Sequence, residues 1–489
     1  VPNVVAAIGT TRTTMVRCPI TFGSAPSNTL RVMHQGWISG PNGTSNIANS
    51  IAIVLEAIEY NGVVVPVTYS GSRTVTISPG DEEKLSDIIT PAAFGLTAFN
   101  PGTSGFYRVE TLLPADAASY AYANIRKNFN ATPIQGVYLN KANTTITNGV
   151  DGTGVFTFTG AIPGGSTAPN VGHVPFFVGT FVRSDPVTIA FVGDSITAGN
   201  NDDNPVSPTG GGIAQRVMYG NGANILAGIN LASSGSKGEP FSVSPNDRLA
   251  KLSRFARIAV EQLGINDLGV AGDTRTAANL LTYARTNWLK LRSYGIEKII
   301  RCKITPRTTG SWTSDASQTI APALDVGGNT DIFNNTMMPA EKLSGAIDAL
   351  VEMSVLRSPT NQFKWFPLYT SDGLHPNEVS FPLVSAEVRL AVDAIAASLP
   401  KSIYDYLSYS NNSSPALLQC GAERVWSHVT IDSIATITTT GYFGTGRSLG
   451  MKVNDYVIVT RTAGTFALSV HKVTAISSDG KATVSAEIT

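Results

Sequence analysis

Val187-Thr188-Ile189-Ala190-Phe191-Val192-Gly193-Asp194-Ser195-Ile196-Thr197-Ala198-Gly199 is the stretch on which the fold of this chain turns. Its first six residues are apolar or β-branched without a break, the pattern of a parallel strand buried on both faces. The run stops at Gly193-Asp194-Ser195, so the strand delivers a polar residue, Ser195, to the carboxyl edge of its sheet. Gly193 and Gly199 leave room for a sharp turn around the serine, with its hydroxyl open to a ligand.

Beyond Pro186, strand and helix patterns alternate. Strands are expected at residues 187–192, 224–231, 257–263 and 298–304. Between the last two, Ala277, Leu280, Leu281, Ala284, Trp288 and Leu291 recur at the spacing of one helical face. Asp273 is the expected amino cap of that helix, and Gly295 stands where it should stop. Further helices are expected over residues 340–355 and 384–398. Alternation of this kind implies an α/β domain, residues 186–400, with a parallel sheet covered by helices on both faces.

On either side the rhythm is different. Residues 1–185 are short β runs, at 50–60, 62–69, 73–78 and 105–113, separated by Gly, Pro, Asn and Ser clusters, with Asn61-Gly62 as a hairpin turn. They read as a β-sandwich of the jelly-roll kind. Residues 401–489 open with a Ser/Asn-rich linker at 408–415 and continue with alternating runs at 436–440, 453–460 and 466–473, a small β domain.

Composition narrows the function classes. Charged residues are 14% of the 489, against roughly 25% in an ordinary soluble protein, and such polar uncharged surfaces suit the outside of cells and virus particles. Thirty-five basic and 35 acidic residues cancel to zero, so nothing predicts a nucleic-acid partner or an anionic membrane. No apolar run approaches the ~18 residues of a membrane span, and the amino terminus lacks a signal-peptide pattern. Cys18, Cys302 and Cys420 are too few and too far apart for a disulfide framework or a zinc site and read as buried thiols. No metal-ligand spacing occurs, so neither metal nor cofactor is expected.

Four segments of the α/β domain each carry polar residues where a strand is expected to end: Gly193-Asp194-Ser195, Asn230 to Gly235, Gly264-Ile265-Asn266-Asp267, and Asp372-Gly373-Leu374-His375. In an open parallel sheet such ends share one edge, where ligands bind. Each segment answers a need of acyl transfer. Serine is a poor nucleophile without a base, and His375 is the candidate for Ser195. Asp372, three residues earlier, can accept the Nδ1 proton of His375 and fix its tautomer. The amides of Ser195 and Gly235 and the side chain of Asn266 would form the oxyanion hole, where losing one donor costs about 3 to 4 kcal/mol of barrier. Asp194 reads as a structural hydrogen-bonder, and His34, His173, His428 and His471 fall outside the set.

The order Ser, Gly, Asn, His, with Gly-Asp-Ser, Gly-x-Asn-Asp and Asp-x-x-His, resembles the SGNH (GDSL-type) hydrolases over roughly residues 186–400. The first motif ends in Ile196 where the family has leucine. The resemblance implies a flavodoxin-like fold and an esterase, lipase or carbohydrate deacetylase, with Ser195 as nucleophile, Asp372 and His375 completing the triad, and Gly235 and Asn266 lining the oxyanion hole. In the Gly/Thr/Ser-rich segment 305–329, Trp312 either stacks on a substrate sugar or anchors the loop. Trp365, Phe366 and Tyr369 read as core.

The preferred expectation is a serine esterase removing O-acetyl groups from an acylated poly- or oligosaccharide. Gly441-Tyr442-Phe443 and the run from Met451 to Val459 resemble a small β module at the ends of phage virion and tail proteins. That resemblance implies an enzyme on a phage particle or otherwise extracellular, a homotrimer among virion proteins, acting on a host surface glycan. The competing classes are a receptor-binding virion protein that uses the fold only to hold glycan, and a lipase or general esterase.

Overall fold

The computed structural model describes residues 2–6, 12–113, 119–123, 135–139, 144–160, 175–181, 186–202, 211–220, 222, 224–244, 246–268, 275–399, 416–420, 423–430, 456–461, 467–478 and 482–485. The chain divides into two compact units, Val1–Ser398 and Leu399–Thr489. The first holds both the amino-terminal β region and the α/β region.

The stretch ending at Ser195 is an inner strand of a five-stranded sheet. Its strands are β1 (Thr188–Gly193), β2 (Ala227–Asn230), β3 (Ile258–Gln262), β4 (Lys298–Cys302) and β5 (Ala349–Val351), in the order β2-β1-β3-β4-β5. Every neighbouring pair is parallel. This is the flavodoxin-like order, whose ligand crevice lies beyond the carboxyl ends of β1 and β3, where the winding reverses. All six residues of β1 are buried, which accounts for its unbroken apolar sequence.

Four helices matter for the site: α1 (Ser195–Ala198), α2 (Gly212–Tyr219), α3 (Ala277–Ser293) and α4 (Ser380–Ser398). They belong to two groups, α2 packing with α4, and α3 with the short helices Gly238–Val243 and Arg248–Ser253. The apolar face of α3 is buried through Ala277, Leu280, Ala284, Trp288 and Leu291, as its period requires.

Three expectations need correction. The cap of α3 is Thr276, not Asp273, which lies outside the described residues. Thr276 Oγ1 accepts the Asn279 amide and Asn279 Oδ1 accepts the Thr276 amide, a reciprocal box that fixes the start of the helix. The helix expected over 340–355 is only Met338–Leu343. The Ser344-Gly345 turn ends it, and the chain continues as β5, where Asp348 accepts hydrogen bonds from the Ile299 amide and Lys298 and so pins the strand to β4. The helix expected from residue 384 begins at Ser380, with Pro382 tolerated in its first turn.

The amino-terminal region is antiparallel. A six-stranded sheet runs in the order Gln135–Leu139, Arg12–Thr21, Ser104–Leu113, Ile51–Tyr60, Val63–Pro66, with Val75–Ile77 also paired to Ile51–Tyr60. Asn61-Gly62 makes the hairpin turn there. A three-stranded sheet orders Phe176–Val178, Arg31–His34 and Lys84–Leu85. The two sheets share one core, in which Val32 and Phe177 pack with Val16, Ile58 and Tyr107. His34 is buried there, hydrogen-bonded to Glu56. Cys18 and Cys302 are buried free thiols, and burial pushes each up to about 12; the Cys420 side chain lies outside the described residues. The hairpin Trp37–Gly40 with Gly43–Asn46 meets the α/β region, where Ser39 O accepts the Ser233 hydroxyl at 3.2 Å.

The second unit is a five-stranded sheet, Ala416–Cys420, Glu423–Thr430, Tyr456–Arg461, Ala467–Ile476 and Ala482–Val484, mixed in direction because its second and third strands are parallel. The linker at 408–415 and the run at 436–440 lie outside the described residues.

Candidate active site

Ser195 follows β1 directly and is the first residue of α1, whose amino cap is Asp194. The Asp194 carboxylate accepts the Ile196 amide at 2.8 Å and the Gln262 side chain at 3.4 Å. Burial pushes it up to about 7, against the pull of those two donors. Asp194 therefore holds the turn, as its position at a helix start requires. Gly193 is needed for close approach, since a Cβ there would stand 2.2 Å from the Thr197 hydroxyl.

The loop after β5 returns His375 to this serine. His375 Nε2 lies 2.7 Å from Ser195 Oγ, and His375 Nδ1 lies 2.7 Å from Asp372 Oδ2. Asp372 Oδ1 accepts the amides of Leu374 and His375 at 2.9 and 2.8 Å, while Oδ2 also accepts Asn201 Nδ2 at 2.8 Å. Burial pushes the Asp372 carboxyl up, but the His375 ring and the two amides together outweigh it and hold it down at about 2. The carboxylate is thus ionised throughout the ordinary pH range, and it fixes the proton on Nδ1 so that Nε2 can accept one from the serine.

Gly235 stands in the left-handed region at φ +77°, beside the hairpin tip: a Cβ on it would lie 2.9 Å from Pro41 Cγ. Its loop is tied to β1 by the Ser233 amide donating to Gly193 O at 3.1 Å. Two residues after β3 brace the same loop from below. Asn266 Nδ2 donates to Ser236 O at 3.2 Å, and Asp267 accepts the Gly238 amide at 2.9 Å. The structure therefore joins Gly235 and Asn266 in one assembly at the end of β1. Among the described residues, the amides of Ser195 and Gly235 donate to no backbone carbonyl, which leaves both available to an oxyanion. Substituting Asn266 by alanine should lower kcat for acyl-ester hydrolysis by about 10²- to 10³-fold, read from initial rates at saturating substrate; a change below threefold would remove it from the oxyanion hole.

Trp312 is half-buried, and its indole donates to Thr308 Oγ1 at 3.0 Å while packing against Gly373, between Asp372 and His375. It anchors the triad loop from outside. The surrounding segment is less irregular than its composition suggests, forming the hairpin Thr308–Gly310 with Gln318–Ile320. Trp365 is core and donates to Gly373 O. Phe366 is not core: it is 38% exposed, and its ring centroid lies 4.6 Å from that of Tyr369.

Sequence reasoning missed Asn201 and the hairpin tip at Pro41. Asn201 carried a faint signal, following Gly199-Asn200 in a turn where asparagine tolerates its positive φ of 68°. Pro41 carried none, because its neighbour Gly235 is remote in sequence.

Fold and site together define an α/β chain with a Ser-His-Asp hydrogen-bond relay at the carboxyl edge of a flavodoxin-like sheet. No family model and no curated protein matches the chain. Among solved structures it is similar to a GDSL-like lipase from Bacteroides thetaiotaomicron, at 17% identity over 43% of this chain and 92% of that one, with a TM-score of 0.31. It is also similar to a lipase/acylhydrolase from Enterococcus faecalis, at 21% identity over 44% and 98%, TM-score 0.29. A third is a carbohydrate esterase family 3 structure from Talaromyces cellulolyticus, at 13% identity over 44% and 100%, TM-score 0.29.

Proposed function

We propose that this chain is a serine esterase of the SGNH (GDSL-type) class acting on O-acyl, chiefly O-acetyl, esters of a carbohydrate. The observation that carries the reading is the unbroken relay from Ser195 Oγ through His375 to Asp372, 2.7 Å at each step. Ser195 Oγ attacks the ester carbonyl as His375 Nε2 takes its proton. The oxyanion is received by the amides of Ser195 and Gly235 and by Asn266. The C–O bond to the sugar then breaks, His375 returns the proton to the departing sugar oxygen, and water, activated by the same imidazole, releases the acid from Ser195.

The finer reading is a deacetylase carried on a phage particle, a homotrimer among virion proteins, directed at a host surface glycan. Residues 186–400 are its catalytic part, flanked by a jelly-roll-like sandwich at 1–185 and a small β domain at 401–489. It is supported by the likeness of residues 441–459 to phage tail modules, by the low charge of the chain, and by the β-rich regions on both sides of the α/β region. An alkyl fluorophosphonate should add once, to the peptide carrying Ser195, as read by mass spectrometry. In parallel, acetate release is measured on a panel of acetylated polysaccharides, with a p-nitrophenyl ester chain-length series to detect a lipase. Absence of the Ser195 adduct together with no acetate release would leave only the glycan-binding role.

A further inference from the structure

Among the described residues, arginine side chains are consistently paired. Arg216 meets Asp202, Arg248 meets Glu82, Arg285 meets Glu341 and Arg301 meets Glu261, while Arg357 donates to backbone carbonyls. Arg307 is the exception. It is half-buried, yet among the described residues its guanidinium makes no hydrogen bond or ion pair.

Its place is beside the triad. Arg307 lies past the carboxyl end of β4, and the amide of the next residue, Thr308, donates to Gly373 O at 2.9 Å, one residue on from Asp372. Burial pushes the Arg307 guanidinium down, and the nearby charge of Asp372 pulls it back up. Asp372 nevertheless offers it no seat. Both carboxylate oxygens are taken, Oδ1 by the Leu374 and His375 amides and Oδ2 by His375 Nδ1 and Asn201. A partly desolvated guanidinium with five donors and no acceptor is a site for a planar anion, which it can hold through two parallel hydrogen bonds.

We propose that Arg307 binds a carboxylate of the substrate, so that the ester cleaved at Ser195 sits on an acidic sugar such as a uronic acid. This rests on the esterase reading above and adds the substrate class to it. The zero net charge of the chain is no obstacle, because recognition depends on the local guanidinium of Arg307 beside the triad rather than on the sum over the surface.

The test compares an O-acetylated hexuronate oligosaccharide with its methyl-esterified counterpart, in which the same acetyl esters remain but the carboxylates are neutralised. The intact protein should prefer the acid form in kcat/KM by about ten- to a hundredfold, the range of a charge-assisted hydrogen bond, chiefly through KM, and added salt should erode that preference. Arg307→Gln should collapse the ratio toward one, and Arg307→Lys, which keeps the charge without the planar fork, should restore part of it. Equal rates of the intact protein on both oligosaccharides would overturn the inference while leaving the esterase intact. So would a loss in Arg307→Gln that is equal on both substrates, since Arg307 would then act through Asp372. No hydrolysis of these or any other acyl ester would remove the esterase reading, and this inference with it.

Discussion

Replacing Ser195 by alanine is expected to lower kcat for acetate release by about 10⁵- to 10⁶-fold, the scale on which a nucleophile is lost from a triad that works as a unit. The change removes one buried oxygen. Ser195 is 4% exposed and, among the described residues, its hydroxyl pairs only with the His375 ring, so β1 and α1 should keep their geometry and circular dichroism should not change. His375→Ala should cost about as much, and the double variant little more, because either loss stops the same proton transfer. Activity that survived would come from the Ser195 and Gly235 amides and Asn266 acting on water attack, roughly 10³-fold over solution. Retention of a tenth of the wild-type rate by Ser195→Ala would exclude Ser195 as nucleophile, whatever the distances around it.

What the sequence revealed and what it hid divide along a physical line. β1 was legible because a strand buried on both faces writes an unbroken apolar run, and Asp372 with His375 because a triad acid and base can share one turn. β5 was not. It is three residues, Ala349–Val351, soon after the short helix Met338–Leu343, and little in the local sequence distinguishes so short an apolar run from a continuing helical face. Its strand identity comes from pairing with β4, a contact made across nearly fifty residues of chain. The same holds for Pro41 against Gly235 and for Asn201 against Asp372. Gly235 was visible as a loop glycine, but its need for a positive φ and for no side chain next to a hairpin from the amino-terminal region is a property of the folded assembly. Arg307 looked like any arginine in sequence, and only the absence of a partner among the described residues makes it informative.

Asp372→Asn is expected to lower kcat by about 10⁴-fold, and the hydrogen bonds around Asp372 say why. The amides of Leu374 and His375 both donate to Oδ1. In the variant the side-chain oxygen must keep that position, which turns the new NH₂ group toward His375 Nδ1. A donor facing Nδ1 forces the ring proton onto Nε2, the nitrogen that faces Ser195 Oγ at 2.7 Å, and a nitrogen already carrying its proton cannot take one from the serine. KM should change little, because Asp372 does not reach the ester. The pH dependence separates this effect from a loss of folding. The carboxyl is held at about 2, below its ordinary value of 3.8, so its stabilising contribution is complete above 3.8 and is lost only as pH falls through about 2. Between pH 5 and 8 Asp372 itself stays ionised, so the wild-type kcat profile should carry no inflection from it there. A deficit under tenfold would show that Asp372 does not set the tautomer, and His375 would then have to be oriented by its contact with Ser195 alone.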